Sequence, residues 1–261
     1  MQIASRMSTW GKPSKMTAAD YVQDGLIAMW DGIENVGWGV HDANALVWVN
    51  LGSLGSSYNA TRSSGIFLEN GARFDHPFQQ ATTPQSYMFA VPGYLMRDKM
   101  KEEWSVDVCI TPWQGWWQGY SGIVGNHGSN RGLVFGQFEP NLINFCVYQP
   151  LVQFGSISSE EAAAIRTPQS ISMVASNTSA TKGIFYRNGR QVSSVSTGNV
   201  GLNFSTNQYF AIGGSFYSPN DSDTLRLFDG IIHCVRIHNR ALTADEIAAN
   251  YAVDKARFNL P

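Results

Sequence analysis

Short apolar runs separated by clusters of Gly, Asn, Asp and Ser follow one another from about residue 20 to the end of the chain. In the run over 104–110, apolar and polar residues alternate as on the two faces of an extended strand. The apolar face carries Trp104, Val106, Val108 and Ile110; the other carries Ser105, Asp107 and Cys109. Further runs cover 25–30, 171–176, 209–212 and 230–237. Many short strands between turn signals predict a β-sandwich or barrel.

Local turn and cap signals add detail to this pattern. Asn188-Gly189 separates the runs 183–187 and 190–195 and accepts the positive φ angles of a type I′ turn, which predicts a hairpin. Thr243 and Glu246 have the spacing of a capping box, and Leu242 and Ile247 that of a hydrophobic staple, so a helix is expected after residue 243. Ser158 and Glu161 match the same box before a second short helix over 162–166.

The first residues differ from the rest. Residues 1–19 are expected to form an arm that ends in a short helical turn, because Thr17 and Asp20 also have capping-box spacing. Residues 20–261 are expected to form one sandwich domain. The stretch from about 75 to 103 is polar and broken by prolines, and is predicted to form long loops.

Composition narrows the class of protein. Hydrophobic residues make up 43% of the 261 residues and charged residues only 15%, against roughly 25% charged in ordinary domains. The net charge of -2 argues against a nucleic-acid partner, which calls for a basic patch. The sequence has no apolar run of the length of a membrane span and no secretory signal. Of the three cysteines, Cys109 and Cys234 lie in apolar runs and are expected to be buried.

Four segments, taken in order, resemble parts of one family. Residues 25–31, 103–112 and 183–190 are similar to the opening strand, a core strand and the "tyrosine, any, asparagine, glycine" hairpin of laminin-G-like, concanavalin A-like domains. Residues 228–251 resemble the closing strand and helix of that family nearly throughout. The resemblance covers about 22–258 and implies an all-β, two-sheet antiparallel jelly-roll sandwich with one or two short helices. The sequence of residues 30–35, Trp-Asp-Gly-Ile-Glu-Asn, is also similar to proteins of gut bacteria and their phages or prophages.

The family includes lectins, adhesins, glycan-cleaving enzymes and structural parts, so the fold does not decide the function. Glycosidases on this fold carry Glu-x-Asp-x-x-Glu on one strand, and this chain has no such run; Glu103 and Asp107 lie four residues apart without a third acid. Asp107 is therefore expected to face solvent or bond to a loop. The sequence also lacks a nucleophile elbow, zinc-ligand spacing and phosphate loops. We therefore expect a chain without catalytic activity.

One aromatic segment is the leading candidate for ligand binding. Three tryptophans and a tyrosine occur within eight residues directly after Pro112, together with two glutamines: Trp113, Gln114, Trp116, Trp117, Gln118 and Tyr120. Indole faces stack on sugars, and exposed aromatic residues also anchor protein interfaces. Three alternatives stay open: a glycan site, a protein contact, or a loop that folds over the end of the sandwich.

Two acidic loops are candidates for calcium, because many members of the family hold calcium near such loops. The first loop runs from Asp31 to Asp42, and the second contains Asp221 and Asp223. Their carboxylates are the hard oxygen ligands that calcium prefers, although Asp and Asn also simply form turns. No other cofactor is expected.

The leading hypothesis is a binding or structural module of a phage virion or a bacterial surface, which attaches to a glycan or a protein. The N-terminal arm would then contact other virion subunits. The alternatives are a secreted carbohydrate-binding adhesin and, less favoured, a glycan-cleaving enzyme. In each case the expected location is the virion or the cell exterior.

Overall fold

Two antiparallel eight-stranded sheets are the main structural elements of the described chain. The computed structural model describes residues 16–62, 67–74, 89–92, 98–112, 122–125, 132–139, 142–148, 151–158, 161, 167–202, 209–215 and 226–261. In chain order the elements are β1 (Leu26–Asp31), β2 (Val47–Trp48), β3 (Ala60–Thr61), β4 (Phe67–Leu68), β5 (Gly71–Phe74), β6 (Phe89–Pro92), β7 (Glu103–Pro112), β8 (Val124–Gly125), β9 (Gly132–Glu139), β10 (Leu142–Tyr148), β11 (Val152–Ser158), β12 (Gln169–Ser176), β13 (Gly183–Arg187), β14 (Arg190–Val195), β15 (Tyr209–Ile212), β16 (Gly214–Ser215), β17 (Arg226–Leu227), β18 (Gly230–His238) and the helix α1 (Ala244–Phe258). Short 3₁₀ turns cover Ala18–Asp20 and Gly55–Tyr58.

The first sheet, here called the helix-side sheet, has the strand order β14-β13-β12-β7-β18-β5-β4. Strand β18 lies at its centre, with β7 along one edge. On its other edge it pairs with β5 through 230–232 and with β1 through 234–238. The second sheet has the order β11-β10-β9-β8-β15-β6-β3-β2, and β16 and β17 form a separate two-stranded ribbon.

Aromatic side chains join the two sheets across the core. Phe145 of the second sheet lies 4.6 Å from Phe185 of the helix-side sheet, measured between ring centroids. Trp30 stacks on Phe210 at 6.1 Å, also across the layers. The alternation along β7 explains which of its faces is turned towards the other sheet. The side chains on that face all lie in this core: Trp104, Val106, Val108 and Ile110. The two-layer antiparallel sandwich predicted from the sequence is therefore confirmed.

The hairpin and the closing helix are also confirmed. Asn188 and Gly189 have φ angles of 49° and 72°, as a type I′ turn requires. Thr243 caps α1 with a complete capping box, and Leu242 and Ile247 share one buried cluster as a staple does. Before the second expected helix, the Glu161 N–H donates to Ser158 Oγ at 3.1 Å; residues 162–166 lie outside the described residues.

Helix α1 covers the outer face of the helix-side sheet. Val253 and Phe258 of the helix pack on Met29, Cys109 and Cys234 of the strands. Both thiols are free and buried, as predicted, and burial raises the pKa of each well above its usual value. In the described part of the chain, α1 is not long and apolar enough to cross a membrane, nor is any other helix.

A fully buried ion pair lies between α1 and the sheet. Arg236 of β18 donates to both carboxylate oxygens of Asp254, at 2.6 and 2.9 Å. Asp254 also accepts from the Tyr21 hydroxyl and from Ser170 Oγ, each at 2.8 Å. The guanidinium of Arg236 lies 4.1 Å from the centre of the Tyr21 ring. Burial, reinforced by Asp254, raises the pKa of Tyr21 well above 10.0, so its hydroxyl stays a donor. Hydrogen bonds thus saturate Asp254 where water is excluded.

Two expectations were wrong in instructive ways. Asp107 does not face solvent: it is fully buried, and Asn250 of α1 donates to it at 3.0 Å, because the helix covers that face of the sheet. The stretch 75–103 is not all loop, since β6 pairs with β15 and β3 within it. The Thr17–Asp20 capping box is confirmed, and Ala18 within it is buried against the domain.

Replacing Asp254 by Asn keeps the shape of the side chain but removes the carboxylate that binds Arg236 through two hydrogen bonds, and leaves Asp107, 3.7 Å from Arg236 Nε, as its charged neighbour. Breaking a buried bidentate pair is costly, so we expect Asp254→Asn to lower the free energy of unfolding by about 3 kcal/mol. Urea denaturation measures the difference. The control is Asp245→Asn on the exposed first turn of α1, expected to cost at most about 1 kcal/mol. Equal effects of the two changes would contradict the importance of the pair.

The N-terminal end of α1 carries a pH-dependent contribution. Arg240 binds Glu246 through two hydrogen bonds of 2.6 and 2.9 Å and lowers its pKa from 4.5 to about 2. The ionised pair therefore stabilises the fold above pH 4.5, and this contribution is lost as the pH falls towards 2. Because the pair is partly exposed, Glu246→Gln should lower the melting temperature by only about 1–3 °C near neutral pH. Thermal unfolding should show this gap shrinking between pH 4.5 and 2; a constant gap would contradict the assignment.

Candidate functional site

An exposed tryptophan lies at the tip of the loop between β1 and β2. Trp38 is 48% exposed, and the neighbouring Val40 is 52% exposed. Gly37 and Val40 pair as an isolated β-bridge around it. Gly39 has a φ of 71°, and a Cβ atom there would meet nothing within 4 Å. The backbone conformation, and not lack of space, therefore calls for glycine beside Trp38.

The buried carboxylate of Glu34 supports this loop from below. Its Oε2 atom accepts the Gly39 N–H at 2.9 Å. Its Oε1 atom accepts the Ala18 N–H at 2.8 Å and Arg257 Nη2 at 3.2 Å. Glu34 is only 5% exposed, so these donors replace water. One side chain thus joins the loop, the N-terminal turn and helix α1.

Asp31 fixes the start of the same loop. It is fully buried, and its Oδ1 atom accepts the N–H groups of Ile33 and Glu34, each at 3.0 Å. Arg257 donates to both of its carboxylate oxygens, at 2.6 and 2.9 Å. An arginine thus supplies the positive charge beside Asp31, and calcium at Asp31 stays a prediction.

The far side of the loop is held by a second polar bridge. The Asn35 side chain donates to the Asp42 carbonyl at 2.7 Å and accepts the Asp42 N–H at 2.8 Å. The Asp42 carboxylate accepts the N–H of Asn44 at 2.8 Å, so it shapes a turn. Within the described ranges, no three His, Cys, Asp or Glu residues are grouped so that they could hold a metal ion. Asp221 and Asp223 lie outside those ranges, and calcium there stays a prediction.

The loop presents one aromatic face beside polar groups. Residues 38–44 are all exposed, and they include the polar side chains of His41, Asp42 and Asn44. An indole face with hydrogen-bonding groups beside it can stack on a ring and bind its substituents. We call residues 37–44 the Trp38 loop.

The segment favoured by the sequence cannot be compared with this loop. Trp113, Gln114, Trp116, Trp117, Gln118 and Tyr120 all lie outside the described residues, directly after β7. The sequence did contain a signal for the Trp38 loop: a lone tryptophan between two glycines in a polar stretch.

A polar cleft of about 410 Å³ lies at the other end of β7. Its lining residues are Lys101, Glu102, Asn177, Asn199, Gly201 and Leu202. The Asn177 side chain accepts the Val200 N–H and donates to Asn199, both at 2.9 Å. The amide groups of this cleft therefore serve mainly to hold residue 177 and residues 199–200 together.

Solved structures with the same fold include sialidases and a domain of an arabinanase. A mutant of Trypanosoma rangeli sialidase that displays trans-sialidase activity is 16% identical, with a TM-score of 0.56 over 89% of this chain and 33% of that chain. The Trypanosoma rangeli sialidase in complex with sialic acid is also 16% identical, with a TM-score of 0.53 over 88% of this chain and 33% of that chain. This chain therefore spans about a third of the sialidase.

Domain 4 of AbnA, a GH43 extracellular arabinanase from Geobacillus stearothermophilus, in complex with arabinotriose, is 14% identical. Its TM-score is 0.50, over 88% of this chain and 100% of that domain. Such distant similarities show the fold alone. No curated protein matches the sequence.

The family comparison is more specific. The model of the concanavalin A-like lectin/glucanases superfamily matches residues 108–248, which run from β7 into helix α1. That segment is more than half of the 261 residues and contains the centre of the helix-side sheet. The chain therefore belongs to the concanavalin A-like lectin/glucanases superfamily.

Proposed function

We propose that this chain is a non-catalytic binding module, that the Trp38 loop is its recognition surface, and that a glycan is the ligand. The observation that carries the proposal is an exposed indole on a loop whose buried side is fixed by Asp31, Glu34 and Asn35. A pre-organised aromatic group loses little conformational entropy on binding, which favours recognition.

The chemistry of the loop supports a glycan. The apolar face of a sugar ring stacks on an indole, while His41, Asp42 and Asn44 can bind the hydroxyl groups around it. The superfamily is described as one of lectins and glucanases, and the arabinanase domain with the same fold was solved with arabinotriose.

The placement of the carboxylates supports a non-catalytic role. Asp31, Glu34, Asp107 and Asp254 are all at most 5% exposed and bind arginine or amide groups. Glycoside hydrolysis usually needs two carboxyl groups that reach the substrate from opposite sides. These four instead hold the fold together.

We further propose that the module belongs to a phage virion or a bacterial surface and works outside the cell. The support is the N-terminal segment, which the structure describes from residue 16. It is anchored to the domain at Ala18, whose N–H donates to Glu34. Residues 1–15 precede this anchor and would contact neighbouring subunits.

The recognition surface can be tested on a broad glycan array. Trp38→Ala should weaken binding of the wild-type ligand about tenfold, because one stacked ring contributes of order 1 kcal/mol or more. Val192→Ala, which truncates another exposed apolar side chain on β14, is the control and should bind normally.

Two further outcomes on the array, and a separate assay for glycan cleavage, distinguish the alternatives. Binding that survives Trp38→Ala but is lost in Trp116→Ala or Trp117→Ala would move the site to the segment 113–120. A wild-type protein that binds no glycan would count against the glycan ligand. Release of reducing ends from a polysaccharide panel would contradict the non-catalytic role.

The N-terminal segment can be tested by deletion. Because Ala18 is buried, the deletion should end before it, so we expect removal of residues 1–15 to abolish oligomers or particle attachment while the domain stays folded. Analytical ultracentrifugation measures the assembly, and circular dichroism the fold. A variant with residues 2–15 scrambled controls for length and charge. Assembly that is unchanged after deletion would sink the proposal.

A further inference from the structure

We propose that Glu34 is a positioning residue that couples the N-terminal turn to the Trp38 loop, so that a partner holding the N-terminal segment would alter recognition. The inference deepens the proposed function and rests on it for its biological meaning. It explains why one buried carboxylate accepts N–H groups that are twenty-one positions apart in sequence, from Ala18 and Gly39.

The coupling follows from the geometry of one rigid group. The two oxygens of a carboxylate move together, so Oε1 cannot follow Ala18 without displacing Oε2 from Gly39. Glu34 is 5% exposed, and little water can replace a lost donor. The two hydrogen bonds, of 2.8 and 2.9 Å, are therefore expected to form and break together.

The surroundings of Glu34 fix where the carboxylate goes when one bond is lost. Its backbone N–H is held by Asp31, and Arg257 binds both carboxylates. Without the Ala18 donor, Arg257 remains the charged partner of Oε1, at 3.2 Å. The carboxylate should turn towards Arg257, and its hydrogen bond to Gly39, next to Trp38, should weaken.

Ala18→Pro removes the N–H that binds Glu34, and the proline ring carbon that replaces the hydrogen displaces the carboxylate from this position. Ala18 is the first residue of the 3₁₀ turn after the Thr17 cap, and proline is well tolerated at a first helical position. Thr17 has φ -122° and ψ 176°, which suits a residue before proline. Proline has no N–H to donate. Glu34→Gln is the second variant, because its amide group cannot accept one of the two N–H groups.

Two measurements report on the loop without any ligand. Amide hydrogen exchange of Gly39 should become at least about tenfold faster in both variants, since a hydrogen bond to a charged group is lost. The ¹⁹F NMR resonance of Trp38 in 5-fluorotryptophan-labelled protein, assigned with Trp38→Phe, should shift or broaden. Val192→Ala is the control: it truncates an exposed side chain on β14, away from this turn, and should leave both signals unchanged.

Unchanged Gly39 exchange in folded Ala18→Pro would overturn the coupling, and so would an equal effect of Val192→Ala. If both variants fail to fold, native-state exchange of the wild-type protein in low urea decides. The amides of Ala18 and Gly39 should then open with one shared free energy. Two clearly different opening free energies would refute the coupling.

These outcomes stay separate from those of the proposed function. Coupled exchange with a silent glycan array would sink the glycan proposal alone. Trp38-dependent glycan binding with uncoupled amides would sink the positioning role of Glu34 alone.

Discussion

The structure depends on the burial of two guanidinium groups between helix α1 and the helix-side sheet. Arg236 and Arg257 can be accommodated there because each forms a bidentate pair with a buried carboxylate, Asp254 and Asp31 respectively. Apolar contacts alone tolerate some sliding of a helix over a sheet, whereas bidentate pairs do not. The ion pairs therefore fix the position of α1, and with it the turn that carries Tyr21.

This constraint reaches the surface through a short chain of contacts. Arg257 binds Asp31 and Glu34, and Glu34 binds the backbone beside Trp38. Loops usually take their shape from their own residues and vary freely. Here a buried ion pair in the interior of the domain also supports the Trp38 loop, through the carboxylate of Glu34.

The sequence predicts what short-range patterns encode. The alternation in β7, the Asn188-Gly189 turn and the Thr243 cap each depend on neighbouring residues, and all three are confirmed. The buried polar face could not be predicted in this way. Asp107 looks like a solvent-facing residue until a helix more than a hundred residues later covers it. Strand β6 lies in a proline-broken stretch and owes its pairing to β15 and β3.

The same dependence on distant residues has a consequence for how variants of this domain are interpreted. A loss of binding is usually taken to mark a residue that touches the ligand. In this domain Arg257 is almost fully buried, yet it contacts the carboxylate that supports the recognition loop. A change at Arg257 that leaves the fold intact would therefore alter recognition without touching the ligand, because it changes the support of the Trp38 loop. Contact with a ligand must accordingly be assigned from exposed positions such as Trp38, with the stability of each variant measured alongside its affinity.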